Sequence, residues 1–477
     1  MLSDTERTAL ERSSRTESDK CNVIDWEGVI DPANPRNWKN RVKQRHVLFV
    51  SSFTLYSNLA AVMFAPGAAD LVKEFHDTSS IVASFTVSIY LLGYVFGPFL
   101  LSSMSEIYGR LIIYHISNVG YIAFTVGCVL SKDTAMFLAF RFICGCCASA
   151  PLVVGGGTIA DIYAAEERGK AMALFGPGPF LGPVIGPVIG GFVTEYLGWR
   201  WTFWLILMLT FEPVLLERKA AAMRKSTGNG QLQARTHKKD RTSAQILARA
   251  AVRPLKMLLS PIILPLSLYC AFMFGLIYLL FTTFPEVFEI TYHFATDISG
   301  LAYLGLSVGL IISIGLFAVL SDKLLKQSRE GTLERPELRL ILMIWSSPIV
   351  PIGFFWYGWS ADKVTHWIVP TLGTMFIGLG AFLIMMPAQL YLVDAFGTEA
   401  AASALATSTV LRSLFGALLP LTGTPMYNAL GLGWGNSLLA FIGLVFAPLP
   451  FLFYRYGETL RNRFQLYVRK IFEWFER

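Results

Sequence analysis

GPFLGPVIGPVIGG, residues 178–191, carries five glycines and three prolines. In water such a segment would not form a helix, because an interior proline costs about 3 kcal/mol and a glycine about 1 kcal/mol. In a bilayer an unpaired backbone group is costlier still, so the helix persists and neighbouring helices satisfy the groups that proline frees. Gly182, Gly186 and Gly190 recur every four residues and leave a bare stripe along which another helix can approach closely. The stretch therefore predicts a closely packed, bent transmembrane helix.

The composition indicates that the rest of the chain also lies mostly in a lipid bilayer. Of 477 residues, 54% are apolar and 15% are charged, against about 25% charged in an average soluble domain. The mean hydropathy is +0.51. These values predict an all-α polytopic membrane protein. Twelve apolar runs are long enough to span a bilayer, and they cover residues 46–68, 80–102, 111–131, 134–158, 170–193, 199–216, 259–284, 297–320, 338–360, 366–392, 400–424 and 434–454.

The basic residues test this count independently. With a cytoplasmic N-terminus, 34 of the 40 Lys and Arg fall on inside segments and four on outside loops, while Arg141 and Arg412 remain within spans. This is the positive-inside distribution, so both termini and the long basic linker are predicted to be cytoplasmic. The net charge of +7 is then a topology signal spread over many loops, and it gives no support to a nucleic-acid-binding protein.

The gaps between spans divide the chain six and six. The two halves also echo each other, since Asp161 closes span 4 and Asp394 closes span 10. Weak internal symmetry of this kind is expected of a transporter whose site lies between two repeated bundles near the midplane. The predicted domains are a cytoplasmic tail (1–45), a six-helix bundle (46–216), a cytoplasmic linker (217–258), a second six-helix bundle (259–454) and a cytoplasmic tail (455–477).

The sequence lacks the motifs of ATP-driven transporters and of metal-dependent or acyl-transfer enzymes. No G-x-x-x-x-G-K-S/T occurs, so transport driven by ATP is not expected. The six histidines are scattered and form no metal or acyl-transfer box, so an enzyme is not expected either. Cys144, Cys146 and Cys147 could hold a metal, but small polarizable residues on a packed helix are the favoured interpretation. We therefore predict no metal and no bound cofactor.

Six further segments stand out along the chain beside the glycine and proline stretch. They are DPANPRNWKN (31–40), GPFLLSSMSEIYGR (97–110), RFICG (141–145), YLVDAFG (391–397), LRSLFGALLPL (411–421) and PFLFYRYG (450–457). Through these segments and their order, the chain resembles the major facilitator superfamily, and within it the fungal twelve-span drug:proton antiporters. The resemblance covers about residues 31–461 and implies two six-helix bundles with twelve transmembrane helices.

The resemblance implies a proton-coupled efflux antiporter of the plasma membrane. Its substrates would be hydrophobic or amphipathic small molecules, such as drugs or fungal secondary metabolites, and its energy would come from the proton gradient. Its partners would be the lipid bilayer, protons and the substrate, and we expect a monomer. An uptake symporter or a sensor on the same fold stays open as an alternative.

Conformational residues are expected at a cytoplasmic loop and along the stripe. Glu106 and Arg110 sit at a helix end, where a carboxylate can pair with a basic group in one bundle arrangement and release it in the other. An ordinary loop ion pair, worth at most about 1 kcal/mol, is the alternative, and the resemblance favours the latch. The resemblance adds the remaining motif positions to the gating set, namely Gly97, Gly109, Gly182, Gly186, Pro187, Gly190 and Gly191.

Charged residues inside or beside spans are the candidates for proton coupling. Arg141 lies inside an apolar span, where a charge costs about 2.5 kcal/mol or more, so it should face the bundle interior and have a partner. A structural clamp and a role in proton transfer, which the resemblance implies, both stay open for it. Arg412 in span 11 has the same two interpretations with less support. Asp161 and Asp394 are candidates by position only.

Aromatic and polar residues in spans 1, 2, 7 and 11 are candidates for the lining of a substrate cavity, here called the substrate wall. Such side chains could line a cavity suited to bulky apolar or cationic molecules. At an aromatic content of 14%, most of them are expected to face lipid or to pack. The candidates are Tyr56, Asn58, Tyr90, Tyr94, Tyr269, Phe272, Tyr278 and Phe415.

Span 6 departs from the family pattern. The apolar run that starts at Trp199 reaches Glu212 and Pro213 after 13 residues. At about 1.5 Å per residue it covers about 20 Å of a hydrocarbon core about 30 Å thick, so the span looks shortened by about ten residues. An inactive carrier is therefore a further alternative.

Overall fold

A computed structural model of the chain describes residues 37–77, 79–163, 175, 177–209, 257–294, 300–329 and 336–460. The tails beyond these ranges, most of the predicted linker and the end of span 6 lie outside the described residues. The side chains of Glu106 and Asp161 lie outside them as well.

Every regular element within the described ranges is a helix, which confirms the all-α prediction. Short 3-10 turns lie at Ala65–Gly67, Gly300–Ala302, Pro336–Arg339 and Leu419–Thr422. The α-helices, in chain order, are α1 (Asn40–Met63), α2 (Ala68–Glu74), α3 (Ser80–Tyr108), α4 (Arg110–Val129), α5 (Thr134–Ala148), α6 (Ala150–Ile162), α7 (Pro177–Leu197), α8 (199–209), α9 (Ile263–Tyr292), α10 (Tyr303–Arg329), α11 (Leu340–Ser346), α12 (Ile349–Asp362), α13 (Ile368–Leu418), α14 (Gly423–Phe446) and α15 (449–460).

Nine helical segments of the described chain are long and apolar enough to cross a membrane. Eight of them match predicted spans 1–4 and 7–10, and the ninth, Ala404–Leu460, covers predicted spans 11 and 12 together. Span 5 contains a shorter apolar helix, Leu181–Leu197, and span 6 begins as α8. The chain is therefore a multi-pass membrane protein.

Spans 10 and 11 are joined without a loop, contrary to the predicted gap between residues 392 and 400. Helix α13 continues through this gap, where the alanine-rich sequence GTEAAAS favours helix. Thirty residues of straight helix would put Phe382 and Arg412 about 45 Å apart, yet both line one cavity. The path of α13 must therefore reverse between these two residues.

The next reversal comes at Gly431, inside α14. This residue has φ 73° and ψ 171°, outside the helical region. That combination is essentially restricted to glycine, because it has no Cβ. The first turns of α14 therefore complete span 11 and the remainder begins span 12.

An aromatic cluster holds one end of the N-terminal bundle together. The rings of Phe64, Phe137, Trp199 and Phe203 have neighbouring centroids 5.2 to 6.1 Å apart. The cluster joins the end of α1 to α5 and α8. The Trp199 indole also donates a hydrogen bond of 2.8 Å to Glu74 at the end of α2. The described part of the short span 6 is thus packed into the bundle.

The glycine stripe of α7 packs against α1. A Cβ on Gly182 would lie 2.5 Å from the backbone nitrogen of Leu59, and one on Gly186 would lie 3.0 Å from the Cγ2 of Val62. A Cβ on Gly190 would overlap the α1 backbone. Side chains larger than hydrogen would push the two helices apart, so the bare stripe sets their separation.

The two bundles touch at their predicted outer ends. The Ala65–Gly67 turn contacts α9, the Leu419–Thr422 turn contacts α3, and the Gly300–Ala302 turn contacts α7. Farther in, the Ser307 hydroxyl on α10 donates a hydrogen bond of 3.0 Å to the Val184 carbonyl oxygen on α7. The space between the bundles is therefore bridged directly beside the glycine and proline stretch.

Candidate functional site

A cavity of about 40 Å³ lies between the two bundles, midway along the spans that border it. This volume holds one or a few water molecules, whereas drug-sized sites measure about 300–1,000 Å³. The bundles must therefore separate before a bulky substrate can enter. The lining residues are Asn58, Leu91, Tyr94, Leu152 and Pro183 of the first bundle and Phe274, Ile277, Tyr278, Leu310, Phe382, Met385, Arg412 and Ser413 of the second.

Two polar groups of the first bundle contribute to this mostly apolar lining. The Asn58 side-chain amide donates a hydrogen bond of 2.8 Å to the Thr54 carbonyl. The Tyr94 hydroxyl donates one of 3.1 Å to the Ala148 carbonyl. Each group thus makes one hydrogen bond within its bundle, which leaves the second Asn58 N–H, the Asn58 Oδ1 and the lone pairs of Tyr94 available for further hydrogen bonds.

Arg412 is the charged residue among the cavity lining. In the described part of the chain it forms no ion pair, and its Nε is buried without a hydrogen-bond partner. The guanidinium carbon lies 5.0 Å from the centre of the Phe274 ring. The neighbouring Tyr278 hydroxyl is also buried without a partner. Two residues that each carry an unsatisfied donor therefore line the same small cavity.

Arg141 is enclosed in the first bundle and is 2% exposed. Its Nη2 donates to the carbonyl oxygens of Ala60 at 2.8 Å and Ala61 at 3.3 Å. The guanidinium carbon lies 4.6 Å from the Tyr90 ring centre and 5.2 Å from the Phe203 ring centre. It faces the bundle interior as expected, and the partners it finds among the described residues are carbonyl oxygens and aromatic faces.

Three predicted substrate-wall residues meet at the cavity, namely Asn58, Tyr94 and Tyr278. Tyr90 lies instead beneath Arg141 and donates a hydrogen bond of 2.9 Å to the Ser57 carbonyl. Their roles in substrate binding stay predictions.

The other candidates pack elsewhere. Tyr269 and Phe272 stack on Phe446, with ring centres 5.3 and 5.5 Å apart. Phe415 packs against the hydrophobic core. Tyr56 is half-buried and lies outside the cavity lining.

The predicted gating loop turns sharply between α3 and α4. Gly109 has φ 88° and ψ 155°, a conformation that favours glycine. The Arg110 guanidinium donates a hydrogen bond of 3.3 Å to the Ser105 hydroxyl. A Cβ on Gly97 would lie 2.5 Å from the Cys146 carbonyl oxygen, so α3 and α5 are also in close contact. The latch itself stays a prediction.

The far end of the stripe faces the second bundle. A Cβ on Gly300 would lie 3.4 Å from the Gly191 Cα and 3.5 Å from the Pro187 carbonyl oxygen. Helix α7 therefore contacts α1 along its glycines and the C-terminal bundle near Pro187 and Gly191.

Asp394 lies at the predicted cytoplasmic end of span 10, away from the cavity lining. Its carboxylate accepts a hydrogen bond of 2.8 Å from the Arg339 Nε and forms an ion pair with it. The described residues include no group of three or more His, Cys, Asp or Glu that could hold a metal ion.

Several lining residues were missed by sequence reasoning. Phe274 was passed over although it lies beside Tyr278, and Leu310, Phe382 and Met385 carry no polar signal. Helix α9 is apolar on all sides, so periodicity cannot identify the face that meets the cavity. Pro183 stood in the quoted stretch but was interpreted only through its effect on helix bending.

Comparisons with known proteins agree with this architecture. The model of the Major Facilitator Superfamily matches residues 48–420. The chain is 74% identical over 467 residues to the MFS transporter prlG of Fungal sp. (strain NRRL 50135), covering 95% of this chain and 99% of that one. It is 52% identical over 462 residues to the trichosetin biosynthesis cluster MFS transporter of Gibberella fujikuroi, covering 93% and 90%. The xylose transporter XylE of E. coli, in a partially occluded inward-open conformation, superimposes with a TM-score of 0.62 at 18% identity, covering 87% of this chain and 98% of that one.

Proposed function

Because the chain belongs to the major facilitator superfamily, we propose that it is a proton-coupled antiporter that exports hydrophobic or amphipathic small molecules. The observation that carries the proposal is the cavity between the bundles, whose lining is mostly apolar and aromatic and lies midway along the spans. A secondary transporter of this fold class binds its substrate at such a position.

The substrate class is suggested by the relatives. One of them is named for the biosynthesis cluster of trichosetin, and export is the direction in which a producing cell would move such a product. Fungal secondary metabolites are therefore the proposed cargo, and the same activity on toxic compounds would give drug resistance.

The remaining details follow from the sequence. The protein is proposed to work as a monomer in the plasma membrane with both termini in the cytoplasm, and to draw on the proton gradient with no bound cofactor. Asp394 is a proposed proton-coupling group, because its protonation would release Arg339 from their ion pair. Arg141 is proposed to keep the first bundle in a transport-competent arrangement.

Accumulation in whole cells tests the proposal. The full chain is expressed in a yeast host that lacks its own drug pumps, and cells are loaded with a panel of neutral, anionic and cationic hydrophobic fluorophores. At least one fluorophore is expected to accumulate less than in cells with empty vector, and a protonophore is expected to abolish the difference. Immunofluorescence establishes that the protein reaches the plasma membrane.

Two outcomes would contradict the proposal. Greater accumulation that a protonophore suppresses indicates an uptake symporter. An unchanged panel with the protein at the plasma membrane indicates an inactive carrier, which the shortened span 6 would explain.

A further inference from the structure

Two residues that line the cavity each carry a hydrogen-bond donor without a partner among the described residues. The Arg412 Nε and the Tyr278 hydroxyl are both buried without a partner, and both residues line the cavity. Both residues contact Phe274, whose ring centre lies 4.8 Å from that of Tyr278 and 5.0 Å from the Arg412 guanidinium carbon. Arg412 and Tyr278 are therefore close neighbours in the part of the lining that the second bundle supplies.

The charge of Arg412 is uncompensated among the described residues. It forms no ion pair there, and its electrostatic neighbours include the neutral side chains of Cys270, Tyr278 and Tyr94. A cation in the middle of a membrane protein is costly unless it is paired or hydrogen-bonded. A position that keeps such a charge without a partner is suited to a ligand that supplies the partner.

The sign of this charge restricts the ligand. Of the thirteen lining residues, Arg412 carries a charge and none is Asp or Glu. A cationic substrate would be repelled, which differs from the sequence expectation of bulky apolar or cationic molecules. An anionic group would accept hydrogen bonds from both unused donors and would neutralise the guanidinium.

We propose that the cavity binds the anionic head of an amphipathic small molecule, such as a carboxylate, with Arg412 as its counter-ion and Tyr278 as a second donor. This inference rests on the proposed function, since it names the substrate class of the same site. The rest of the molecule would lie against the apolar side chains of Leu310, Phe382 and Met385 when the bundles separate.

The experiment compares two probes that differ in charge and share one apolar body. The full-length protein is placed in nanodiscs of phosphatidylcholine alone, so that no anionic lipid competes for the site. Calorimetry then measures the unfolding temperature at increasing concentrations of 1-pyrenebutanoate or 1-pyrenebutanol, and the shifts give the two dissociation constants. The wild-type protein is expected to bind the carboxylate about tenfold more tightly than the alcohol, as one charge-assisted hydrogen bond would give.

Variants assign the preference to Arg412. Arg412→Gln is expected to lose the preference, with carboxylate binding about tenfold weaker and alcohol binding unchanged. Arg412→Lys keeps the charge and is expected to keep most of the preference. Arg455→Gln is the matched control, because Arg455 is exposed on α15. Unfolding temperatures without probe establish that each variant is folded.

Three results overturn the inference: no binding of the carboxylate by the wild-type protein, equal binding of the two probes, or a preference that survives in Arg412→Gln. These failures are distinct from failure of the proposed function. Proton-driven export without a carboxylate preference removes only the anionic substrate class, whereas a carboxylate preference without export removes only the antiporter.

Discussion

Arg141 and Arg412 lie in opposite bundles, each inside an apolar span, and their surroundings differ. Arg141 is 2% exposed, donates to two carbonyl oxygens and is covered by aromatic rings. Arg412 borders a cavity and contacts one ring. The Nε of both arginines is buried without a hydrogen-bond partner. The Nη2 of the first arginine is held by carbonyl oxygens of its own bundle, whereas the second lines the cavity between the bundles and makes no hydrogen bond to the described residues.

The difference teaches how to interpret an intramembrane charge. Sequence alone gives both arginines the same cost and the same two interpretations. The structure distinguishes the two arginines by the hydrogen-bond partners of their guanidinium groups and by whether they line a cavity. A guanidinium that is hydrogen-bonded to a neighbouring helix indicates a residue that holds helices together. A guanidinium that lines a cavity without a hydrogen bond to the protein indicates a residue that binds a ligand.

Removal of the enclosed arginine is expected to have the largest effect. Arg141→Ala should destabilise the protein by about 3 kcal/mol, because charge-assisted hydrogen bonds contribute about 1.5–3 kcal/mol each and the aromatic faces lose their cation. It should also eliminate export in the accumulation assay. Calorimetry of the purified protein measures the stability.

Arg141→Lys tests whether the positive charge alone is sufficient or whether the planar guanidinium is needed. Lysine keeps the charge but cannot stack a planar group on Tyr90 while donating to two carbonyls, so it should restore little of either property. Full export together with an unchanged unfolding temperature in the alanine variant would remove the distinction between the two arginines.

The second prediction concerns the dependence of the Arg141 hydrogen bonds on the glycine stripe of α7. Gly186→Leu should displace α1, because a Cβ at Gly186 already lies 3.0 Å from Val62. Helix α1 also carries the Ala60 and Ala61 carbonyls, so the hydrogen bonds of Arg141 should weaken with it. Export should be lost while the amount of protein inserted in the membrane stays near the wild-type level, because hydropathy is not reduced.

Ile185→Leu is the control for this substitution, since Ile185 is the neighbouring residue and is exposed on the surface of the bundle. It should export normally. Normal efflux by Gly186→Leu would mean that α1 and α7 do not need their present separation for transport.

The smallest effect is expected at Arg412, where the substitution should stabilise the protein and not destabilise it. Arg412→Leu removes an uncompensated charge from the interior, so it should raise the unfolding temperature by about 2 °C or more in calorimetry without ligand. Arg455→Leu, at an exposed position, should leave it unchanged. A fall in the unfolding temperature of Arg412→Leu would show that the protein does satisfy this guanidinium.

Much of the fold could be predicted because a bilayer imposes strong constraints on a sequence. The apolar lengths located eight spans that match single helical segments, and the GxxxG spacing of Gly182, Gly186 and Gly190 identified the face of α7 that packs closely. Hydrogen bonding of the backbone within a span and close packing of helices at small residues both depend on short stretches of sequence, so the sequence predicts them.

The site was harder because it depends on which faces the helices turn towards each other. Tyr269 and Tyr278 look equivalent in sequence, yet the first stacks on Phe446 and the second borders the cavity. Helix α9 is apolar on every side, and in a membrane neither face is distinguished by polarity. The continuous helix between spans 10 and 11 was missed for a different reason: Gly397 and the polar Thr398 and Glu399 interrupt the apolar run, yet the helix continues through them into the alanines that follow.

The contacts of Arg141 have a mechanical consequence. One guanidinium on α5 is joined to α1 through two carbonyls, to α3 through Tyr90 and to α8 through Phe203. Four of the six spans of the first bundle thus meet at one side chain, and sliding any of them would break these contacts. We therefore expect the first bundle to move as one rigid body, with the rearrangement that opens the site concentrated at the interface between the bundles, where Ser307 meets Val184.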